Sequence, residues 1–226
     1  MKLHKCLDCK VRSEATGFLS NIELNDLGEN CVEVHFEKGE TIFKQNALSS
    51  NIIYLKEGLV KLTLKGPHRD QILKIVKAPA YLGIPTTVGD KINHYSAVAI
   101  DPSEACFIDL NIFRKLIHKN GKFAYEIVLE LCKNELQQFH RCINLTQKML
   151  NGRLAFNLLN FSRNFYKSSS FKLSLNRNDL ADLLGTTRES VSRVLSDFSR
   201  EGLIEMEGKN IKILDEEKLE MISKAG

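Results

Sequence analysis

Residues 180–195 have the sequence LADLLGTTRESVSRVL, and this stretch decides the fold of the C-terminal region. Leu180, Leu183 and Leu184 recur at helical spacing and predict a first short helix. Gly185 stands where that helix must end, because glycine adopts the left-handed backbone conformation at little cost. A second helix follows directly. Two helices joined by a glycine turn predict a helix-turn-helix, which places side chains in the major groove of DNA.

The polar residues around the turn predict where both helices begin. Asn178 or Asp179 is expected to cap the first helix by accepting a hydrogen bond from a free backbone N–H group. Thr186 or Thr187 is expected to cap the second helix in the same way.

The second helix carries a polar face opposite an apolar stripe. The stripe consists of Val191, Val194, Leu195 and Phe198. The first two turns of a recognition helix reach base edges, and an arginine fork matches O6 and N7 of guanine. We therefore predict that Arg188 and Arg193 contact guanines and that Glu189 accepts a hydrogen bond from cytosine N4. The residues expected to hold the DNA backbone or phosphates are Thr187, Ser190, Ser192 and Lys209.

Residues 203–214 predict a β-hairpin, because apolar residues alternate on both sides of a turn that contains Gly208. A hairpin directly after a recognition helix is a wing, and this wing would place Lys209 against phosphate. The competing interpretation is an amphipathic helical hairpin with a solvated charged face. The turn chemistry, the caps and the polar face agree with one another and disfavour that alternative.

Length and composition limit the class of protein. The chain has 226 residues, which suggests two domains, and its formal net charge of +4 means that any positive potential is local. The sequence contains no run of about 18 apolar residues and no apolar signal core at its N-terminus, so we expect a cytoplasmic protein. The histidines are scattered without a recognisable catalytic arrangement, so we expect no enzyme.

The segment from about Val32 to Leu110 predicts many short strands. Apolar runs alternate there with turn signals at intervals of roughly 8–12 residues. Such spacing is typical of an antiparallel barrel, sandwich or jelly roll. A helix over about 20–29 precedes the strands. The predicted fold class is α+β, with an N-terminal antiparallel β-roll, a long dimerisation helix and a C-terminal winged helix-turn-helix.

The apolar period changes to that of a helix from Asn111 onward. A short helix is expected there, broken near Asn120, and a long helix is expected over about 122–144. Apolar residues spaced by three or four form a coiled-coil-like seam on the long helix, namely Val128, Cys132, Leu136, Phe139 and Ile143. A second copy of the chain is the simplest partner that would bury this seam, so we expect a homodimer. The alternative is that the seam packs on the chain's own barrel.

The remaining segments complete the domain organisation. A helix is expected over 147–165, a flexible break over 167–170, and a final helix over 215–223 capped by Asp215. We predict three parts. They are an N-terminal cysteine segment and β-roll sensor domain (1–118), a dimerisation helix (119–146) and a winged helix-turn-helix DNA-binding domain (147–226).

The order of β-roll, long helix and winged helix-turn-helix resembles the Crp/Fnr superfamily of bacterial transcription regulators over essentially the whole chain. Residues 187–195, TRESVSRVL, look like that family's recognition helix, in which the R-E-x-x-x-R residues contact base edges. Residues 36–43 and 53–58 look like glycine turns of its cyclic-nucleotide-binding-type β-roll. The resemblance implies a homodimeric, sequence-specific regulator of a two-fold-symmetric operator, with double-stranded DNA and RNA polymerase as partners. The alternative is an effector-binding module whose helix-turn-helix serves protein interaction.

The family's cyclic-AMP pocket does not carry over to this sequence. Its phosphate-binding cassette begins with Gly-Glu and ends with an Arg-Ser pair, whereas Gly83 is followed here by Ile84 and the later segment is His94-Tyr95-Ser96. None of these residues offers the bidentate, permanently charged fork of arginine. We therefore expect no response to cyclic AMP. The five residues remain candidates for a pocket that binds another small molecule, or nothing.

Six cysteines in a chain without an export signal favour ligands, redox sensors or packed thiols over structural disulfides. The resemblance implies a specific set, because the oxygen-sensing Fnr branch holds an iron–sulfur cluster with three N-terminal cysteines and one distant cysteine. Cys6 and Cys9 look like the first pair and Cys106 like the distant ligand, but Ala15 stands at the third N-terminal position. The candidates for a fourth ligand are Cys31, His4, a carboxylate and an exogenous group.

Three interpretations of these cysteines stay open. They are an iron–sulfur cluster, a zinc site or thiol switch, and free thiols on a frayed terminus with Cys106 in a strand core. Cys132 and Cys142 lie in a helical apolar pattern and are expected to be packed as small hydrophobic residues, and Cys31 is open to the same interpretation.

Overall fold

The computed structural model describes residues 6–226 and confirms the predicted α+β class. The chain forms two compact units. The first contains the described residues up to Pro67 together with Leu73–Glu135, and the second contains His68–Ile72 and Leu136–Gly226. His4 lies outside the described residues.

The predicted strand-rich region forms two four-stranded sheets. Its strands are β1 (Cys31–Phe36), β2 (Thr41–Phe43), β3 (Asn51–Glu57), β4 (Leu59–Lys65), β5 (Asp70–Lys77), β6 (Ala80–Leu82), β7 (Ser96–Ala99) and β8 (Ser103–Asp109). The strand order is β1-β8-β3-β6 in one sheet and β2-β7-β4-β5 in the other. The β1–β8, β3–β8 and β3–β6 pairs are antiparallel, as are β2–β7 and β4–β7.

Four helices accompany these strands in the described chain: α1 (Asn21–Glu29), α2 (Ile84–Gly89), α3 (Leu110–Lys119) and α4 (Gly121–Gln147). Ser20 begins α1 through a capping box with Glu23. Short 3₁₀ turns at Cys6–Asp8 and Ala15–Phe18 precede α1. The sequence pattern does not predict β6 or α2, because elements this short show no clear apolar period.

The turn between β3 and β4 depends on Gly58. Its φ is +98°, and a Cβ added there would lie 2.6 Å from the carbonyl oxygen of Pro102. Only glycine fits this combination of a left-handed backbone and a close approach.

Helix α4 is longer than predicted, with 27 residues and a length of roughly 40 Å at 1.5 Å per residue. Its seam residues Val128, Leu136, Phe139 and Ile143 are each at least half exposed in the single chain. The expectation that Cys132 and Cys142 are packed is wrong, because both are exposed on this helix. Cys132 lies in the seam, which the described residues leave exposed in the single chain, and Cys142 lies outside the seam, next in sequence to Ile143. No helix in the described part of the chain is long and apolar enough to cross a membrane.

The second unit contains the predicted helix-turn-helix and wing. Its remaining elements are α5 (Leu150–Asn160), a π-helical turn (Phe161–Tyr166), β9 (Ser170–Lys172), α6 (Arg177–Leu184), α7 (Arg188–Arg200), β10 (Ile204–Glu207), β11 (Asn210–Ile213) and α8 (Glu216–Ala225). The three strands form one sheet in the order β10-β11-β9. Asp215 caps α8 as predicted, with its side chain accepting from the Lys218 N–H group.

Two sequence-based boundaries in this unit are wrong. Helix α5 begins at Leu150, after Met149, rather than at Gln147. The expected flexible break ends in a strand, because Ser170 pairs with Lys212 and β9 adds a third strand to the wing. A three-residue strand gives too short a pattern to be recognised before its partner is known.

The cap of α6 also differs from the prediction. Asn176 is the N-cap, and its Oδ1 accepts from the Asp179 N–H group at 2.9 Å. Asp179 completes a capping box by accepting from the Asn176 N–H group at 3.1 Å. The helix therefore begins earlier than expected, and neither Asn178 nor Asp179 is its cap. The other two local predictions are confirmed, since Gly185 takes φ +65° and Thr187 caps α7.

Candidate nucleic-acid interface and cysteine cavity

Helix α7 separates an apolar side from a polar side. Val191, Val194, Leu195 and Phe198 are each at most 4% exposed. Arg188, Glu189 and Arg193 are exposed on the other side. The buried stripe fixes the rotation of the helix, so the exposed side chains project from one surface. That surface offers two guanidinium forks and one carboxylate.

The first turn of α7 combines hydrogen-bond donors with an anionic side chain. The Thr187 hydroxyl accepts from the Ser190 N–H group at 3.2 Å and so caps the N-terminus of the helix. The pKa of the exposed Glu189 is lowered, chiefly by a hydrogen bond from its own backbone and then by the Thr187 hydroxyl. Glu189 is therefore ionised at neutral pH and acts only as a hydrogen-bond acceptor. Ser190 and Ser192 are half-buried beside these residues.

The tip of the wing carries Lys209. Strands β10 and β11 pair from Glu207 and Asn210 outward, which leaves a two-residue turn between them. Gly208 takes φ +59° in this turn, a conformation that favours glycine. Lys209 is exposed, and its carbonyl oxygen accepts from the Leu173 N–H group at 2.9 Å.

An open groove of about 310 Å³ joins the wing to the start of α7. Among the described residues, the cations that line it are Arg177, Arg188 and Lys209, and no carboxylate lines it. Asn176 and Asn178 add polar side chains. A groove of this shape and charge suits a phosphate backbone.

Sequence reasoning did not single out Arg177. Its guanidinium is half-buried against β10, with Nη2 at 2.8 Å from Met206 Sδ, and burial lowers its pKa. The polar run Asn176-Arg177-Asn178 at the start of α6 was the available signal. This run indicates a phosphate-binding groove only when the wing is known to fold back beside it.

The five candidate pocket residues fall into different environments. Gly83 takes φ +79° at the start of α2, and Ile84 is buried in the core. The Tyr95 hydroxyl is hydrogen-bonded by the Gly83 backbone, while burial raises the pKa of Tyr95. The Tyr95 ring packs at 5.5 Å from that of Phe43. The backbone N–H group at the head of α2 therefore already has a phenol from the chain itself as its partner.

The other two candidates are engaged locally. His94 Nε2 lies 2.5 Å from Asp90 Oδ2 on the surface, and this contact is the main cause of the lowered pKa of Asp90. Ser96 Oγ accepts from the Gln45 N–H group at 2.9 Å. Neither supplies a free cationic fork for a cyclic phosphate.

The predicted metal-ligating cysteines converge on one cavity in the first unit. Cys6, Cys9 and Cys106 line it together with Cys31. Its other walls include Arg12 and the apolar side chains of Leu24, Leu27 and Ile108. Four thiols from separate parts of the sequence thus surround a single space.

The Cys31 thiol contacts two of its neighbours. A hydrogen bond with Cys31 is the main reason that the pKa of Cys6 is lowered, with smaller attractions from Lys56 and Arg12. The pKa of Cys31 is raised, because its thiol is hydrogen-bonded to Cys106 and Cys6 and because it is buried. Cys31 therefore links the Cys6 thiol to the Cys106 thiol.

Tyr54 adds an unusual polar group to this cavity. It is 7% exposed, and its hydroxyl has no hydrogen-bond partner in the part of the chain that the structure describes. Its neighbour Tyr81 packs at 4.9 Å between ring centroids, yet the Tyr81 hydroxyl lies 2.9 Å from Ser13 Oγ. A buried unpaired hydroxyl costs on the order of 1–3 kcal/mol, so its position in the cavity requires an explanation.

A second group of potential metal ligands is already neutralised. Glu33, His35 and Glu104 bring their ligand atoms within 4.8 Å of one another. The Lys56 ammonium donates to both carboxylates, at 2.5 Å to Glu33. This cluster is explained by ion pairing on the sheet surface.

Two family models match the chain. Residues 33–120 match the cyclic nucleotide-binding domain, and residues 152–222 match the Crp-like helix-turn-helix domain. The first match covers most of the strands, and the second covers α5 to α8.

Known proteins match nearly the full length of the chain. Electron transport regulator A of Shewanella oneidensis is 28% identical over 226 residues, covering 96% of this chain and 90% of that protein. The fumarate and nitrate reduction regulatory protein of Vibrio cholerae is 28% identical, covering 95% and 88%. The structure of FixK2 from Bradyrhizobium japonicum matches with a TM-score of 0.78 at 20% identity, covering 85% of this chain and 96% of that one. At that identity the structural match establishes a shared fold.

Proposed function

We propose that this chain, a member of the Crp/Fnr family of DNA-binding transcription regulators, recognises a two-fold-symmetric operator as a homodimer. Its relatives are regulators rather than enzymes. The exposed face of α7 carries the proposal, because Arg188, Glu189 and Arg193 project from a helix whose opposite side is buried.

Direct base contacts come from the first two turns of α7. The guanidinium groups of Arg188 and Arg193 each suit O6 and N7 of a guanine. The ionised Glu189 carboxylate suits the N4 amino group of cytosine. These contacts carry the sequence preference.

Phosphate contacts come from the groove and its rim. Lys209 at the wing tip and Arg177 in the groove supply positive charge, and Thr187, Ser190 and Ser192 supply hydroxyl groups. Such contacts position the protein on the duplex without selecting a base.

The dimer is supported by the uncovered seam of α4. Val128, Leu136, Phe139 and Ile143 follow one side of the helix and are at least half exposed. A row of large apolar side chains on a long helix is what a coiled-coil partner covers. Two copies related by a two-fold axis present two recognition helices to two half-sites.

Control of the regulator is proposed to act at the first unit through a metal cofactor at Cys6, Cys9 and Cys106. The cavity that these residues share, its unpartnered Tyr54 hydroxyl and its thiol donor set fit an iron–sulfur cluster. When bound, such a cluster supplies oxidant-sensitive bonding between the N-terminal segment and β8. Cyclic AMP is not the proposed effector, since Gly83, His94 and Tyr95 already engage partners within the chain. RNA polymerase is the proposed protein partner of the DNA-bound dimer.

Selection of duplexes from a random-sequence pool tests the DNA-binding proposal. We expect enrichment of one two-fold-symmetric site whose half-sites are about 10–10.5 base pairs apart, or a multiple of this. Failure to enrich any sequence would contradict the proposal and favour a helix-turn-helix that serves protein interaction.

A pair of variants on α4 tests the dimer. Phe139→Asp places a charge in the seam, whereas Gln138→Asp places the same charge at an adjacent exposed position away from it. Sedimentation velocity should report a dimer for the wild type and Gln138→Asp and a monomer for Phe139→Asp. A dimer that survives Phe139→Asp would exclude this seam as the interface.

A further inference from the structure

We infer that Cys31 is the fourth thiolate of a polynuclear iron–sulfur site formed with Cys6, Cys9 and Cys106, and that the Tyr54 hydroxyl donates a hydrogen bond into it. This inference rests on the proposed sensing role of the first unit. It assigns two residues, one on β1 and one on β3, that no N-terminal cysteine pattern contains.

Sheet register places Cys31 and Cys106 on one face. Cys106 of β8 lies opposite Glu33 of β1, and Cys31 lies opposite Ile108. Cys31 is therefore a diagonal neighbour of Cys106 on the same side of the sheet, at a distance that side chains bridge. The direct contact between the two thiols agrees with this register.

The N-terminal thiols approach the same face from outside the sheet. The 3₁₀ turn Cys6–Asp8 brings the Cys6 thiol against that of Cys31. Cys9 follows this turn, with its N–H group donating to the Cys6 carbonyl oxygen at 3.4 Å, and lines the same cavity. Ala15 is buried with 3% exposure, and its methyl group has no ligand atom to contribute. Cys31 thus supplies the thiol that the N-terminal segment lacks.

The described thiols do not have the spacing of a tetrahedral zinc site. With Zn–S bonds of about 2.3 Å, tetrahedral thiolates on one zinc lie about 3.8 Å apart. Among residues 6–226, the group of three ligand atoms within 4.8 Å of one another is Glu33, His35 and Glu104, not three cysteines. Cys31 contacts both Cys6 and Cys106, but the described thiols do not together form a preassembled tetrahedral zinc site.

The Tyr54 hydroxyl is a second feature of the cysteine cavity that indicates a bound group. Among residues 6–226, this buried hydroxyl has no hydrogen-bond partner. Tyr54 lies on β3 opposite Cys106 and lines the same cavity. Sulfide and thiolate sulfur atoms accept hydrogen bonds, and such bonds help to set the reduction potential of a cluster. A bound cluster therefore gives this hydroxyl the partner that residues 6–226 do not supply.

Reconstitution of the full chain with ferrous iron and sulfide under anaerobic conditions tests Cys31. The wild type should take up about four iron and four sulfide per chain, with charge-transfer absorption in the visible range. Cys31→Ser and Cys31→Ala should each lose most of this uptake, whereas Cys142→Ser, which changes an exposed thiol on α4, should retain it. Circular dichroism and denaturant unfolding of each apo variant separate loss of ligation from loss of folding.

Two outcomes would overturn the assignment of Cys31. One is wild-type iron and sulfide content in a folded Cys31 variant. The other is a wild type that binds one zinc and takes up no sulfide. Operator selection is measured separately, so a protein that enriches a symmetric site but takes up no iron contradicts this inference and leaves the proposed DNA binding intact.

The Tyr54→Phe variant tests whether the Tyr54 hydroxyl donates a hydrogen bond to the cluster. This variant should keep the iron and sulfide content but lower the reduction potential, because the lost hydrogen bond stabilised the more negative reduced cluster. Tyr81→Phe is the matched control, since the Tyr81 hydroxyl is already partnered by Ser13. A reduction potential of Tyr54→Phe equal to that of the wild type would refute the role of this hydroxyl.

Discussion

The α7 face and the cysteine cavity differ in how their residues come together. The proposed DNA-contacting side chains of α7 and the wing tip lie between residues 187 and 209. The four cavity thiols lie between residues 6 and 106. They meet through the register of β1 and β8 and through the N-terminal 3₁₀ turn. A local helical period is sufficient to define the first surface, whereas the second depends on tertiary structure. The two regions therefore respond to different kinds of substitution.

The largest expected effect comes from the buried side of α7. Leu195→Ala removes a fully buried side chain and should lower the free energy of unfolding by about 2–5 kcal/mol. Ser196→Ala, at the adjacent exposed position, is the control and should change stability little. Urea unfolding followed by circular dichroism measures both. Equal stability of the two variants would break the claim that the buried stripe fixes the recognition face.

Removal of a guanidinium group that contacts a base should have a smaller effect. This effect should be on DNA binding rather than on the stability of the fold. Arg193→Ala should cost about 1–3 kcal/mol of binding to the selected operator, or roughly 5- to 150-fold in affinity. Arg200→Ala removes the same charge from the last turn of α7, where Arg200 pairs with Asp197 at 2.6 Å. Fluorescence anisotropy should show little change for this control. Equal losses from both variants would indicate a general charge effect.

The wing should contribute a weaker contact that does not depend on sequence. Lys209→Ala should weaken binding to specific and random duplexes alike and reduce the slope of log affinity against log salt by about one. Lys224→Ala, which changes a lysine paired with Glu220 on α8, is the control. A loss confined to the specific operator would contradict phosphate contact by Lys209.

The smallest expected effect concerns α1 of the first unit. Ser20→Ala removes one side of the capping box and should cost about 0.5–2 kcal/mol of stability. The pKa of Glu23 is lowered, mainly by the Ser20 N–H group and hydroxyl. Its stabilising contribution is therefore present above the unfolded pKa of about 4.3 and is lost as the pH falls through the lower folded value.

Comparison of wild type and Glu23→Gln checks this pH dependence. The stability difference between them should be present at neutral pH and shrink as the pH falls below about 4. A difference that stays constant across this range would exclude the carboxylate as its source. Operator affinity at neutral pH should be the same for both proteins, because Glu23 belongs to the first unit.

Sequence patterns predicted the helix-turn-helix because its signals are local. Apolar spacing, a left-handed glycine at Gly185 and a cap at Thr187 all act within a few residues of one another. The cap of α6 was misplaced because Asp179 acts as the third residue of a capping box begun by Asn176. Both residues are good capping types, and only the backbone conformation distinguishes their positions.

Features that depend on contacts between distant parts of the chain were harder to predict from the sequence. Arg177 belongs to the groove only because the wing folds beside it, and Cys31 joins the cavity only because β1 pairs with β8. Cys132 is exposed because it belongs to the seam of α4, which residues 6–226 leave uncovered in the single chain. Helical spacing alone does not distinguish a core stripe from a dimer seam.

The most direct test of the central claim is a complete set of single-base-pair substitutions in the selected operator, measured with the wild type and Arg188→Ala. The account predicts that Arg188→Ala loses discrimination at one guanine position in each half-site and keeps it elsewhere. A variant that retains the wild-type preference at every position would contradict base contact by the exposed face of α7.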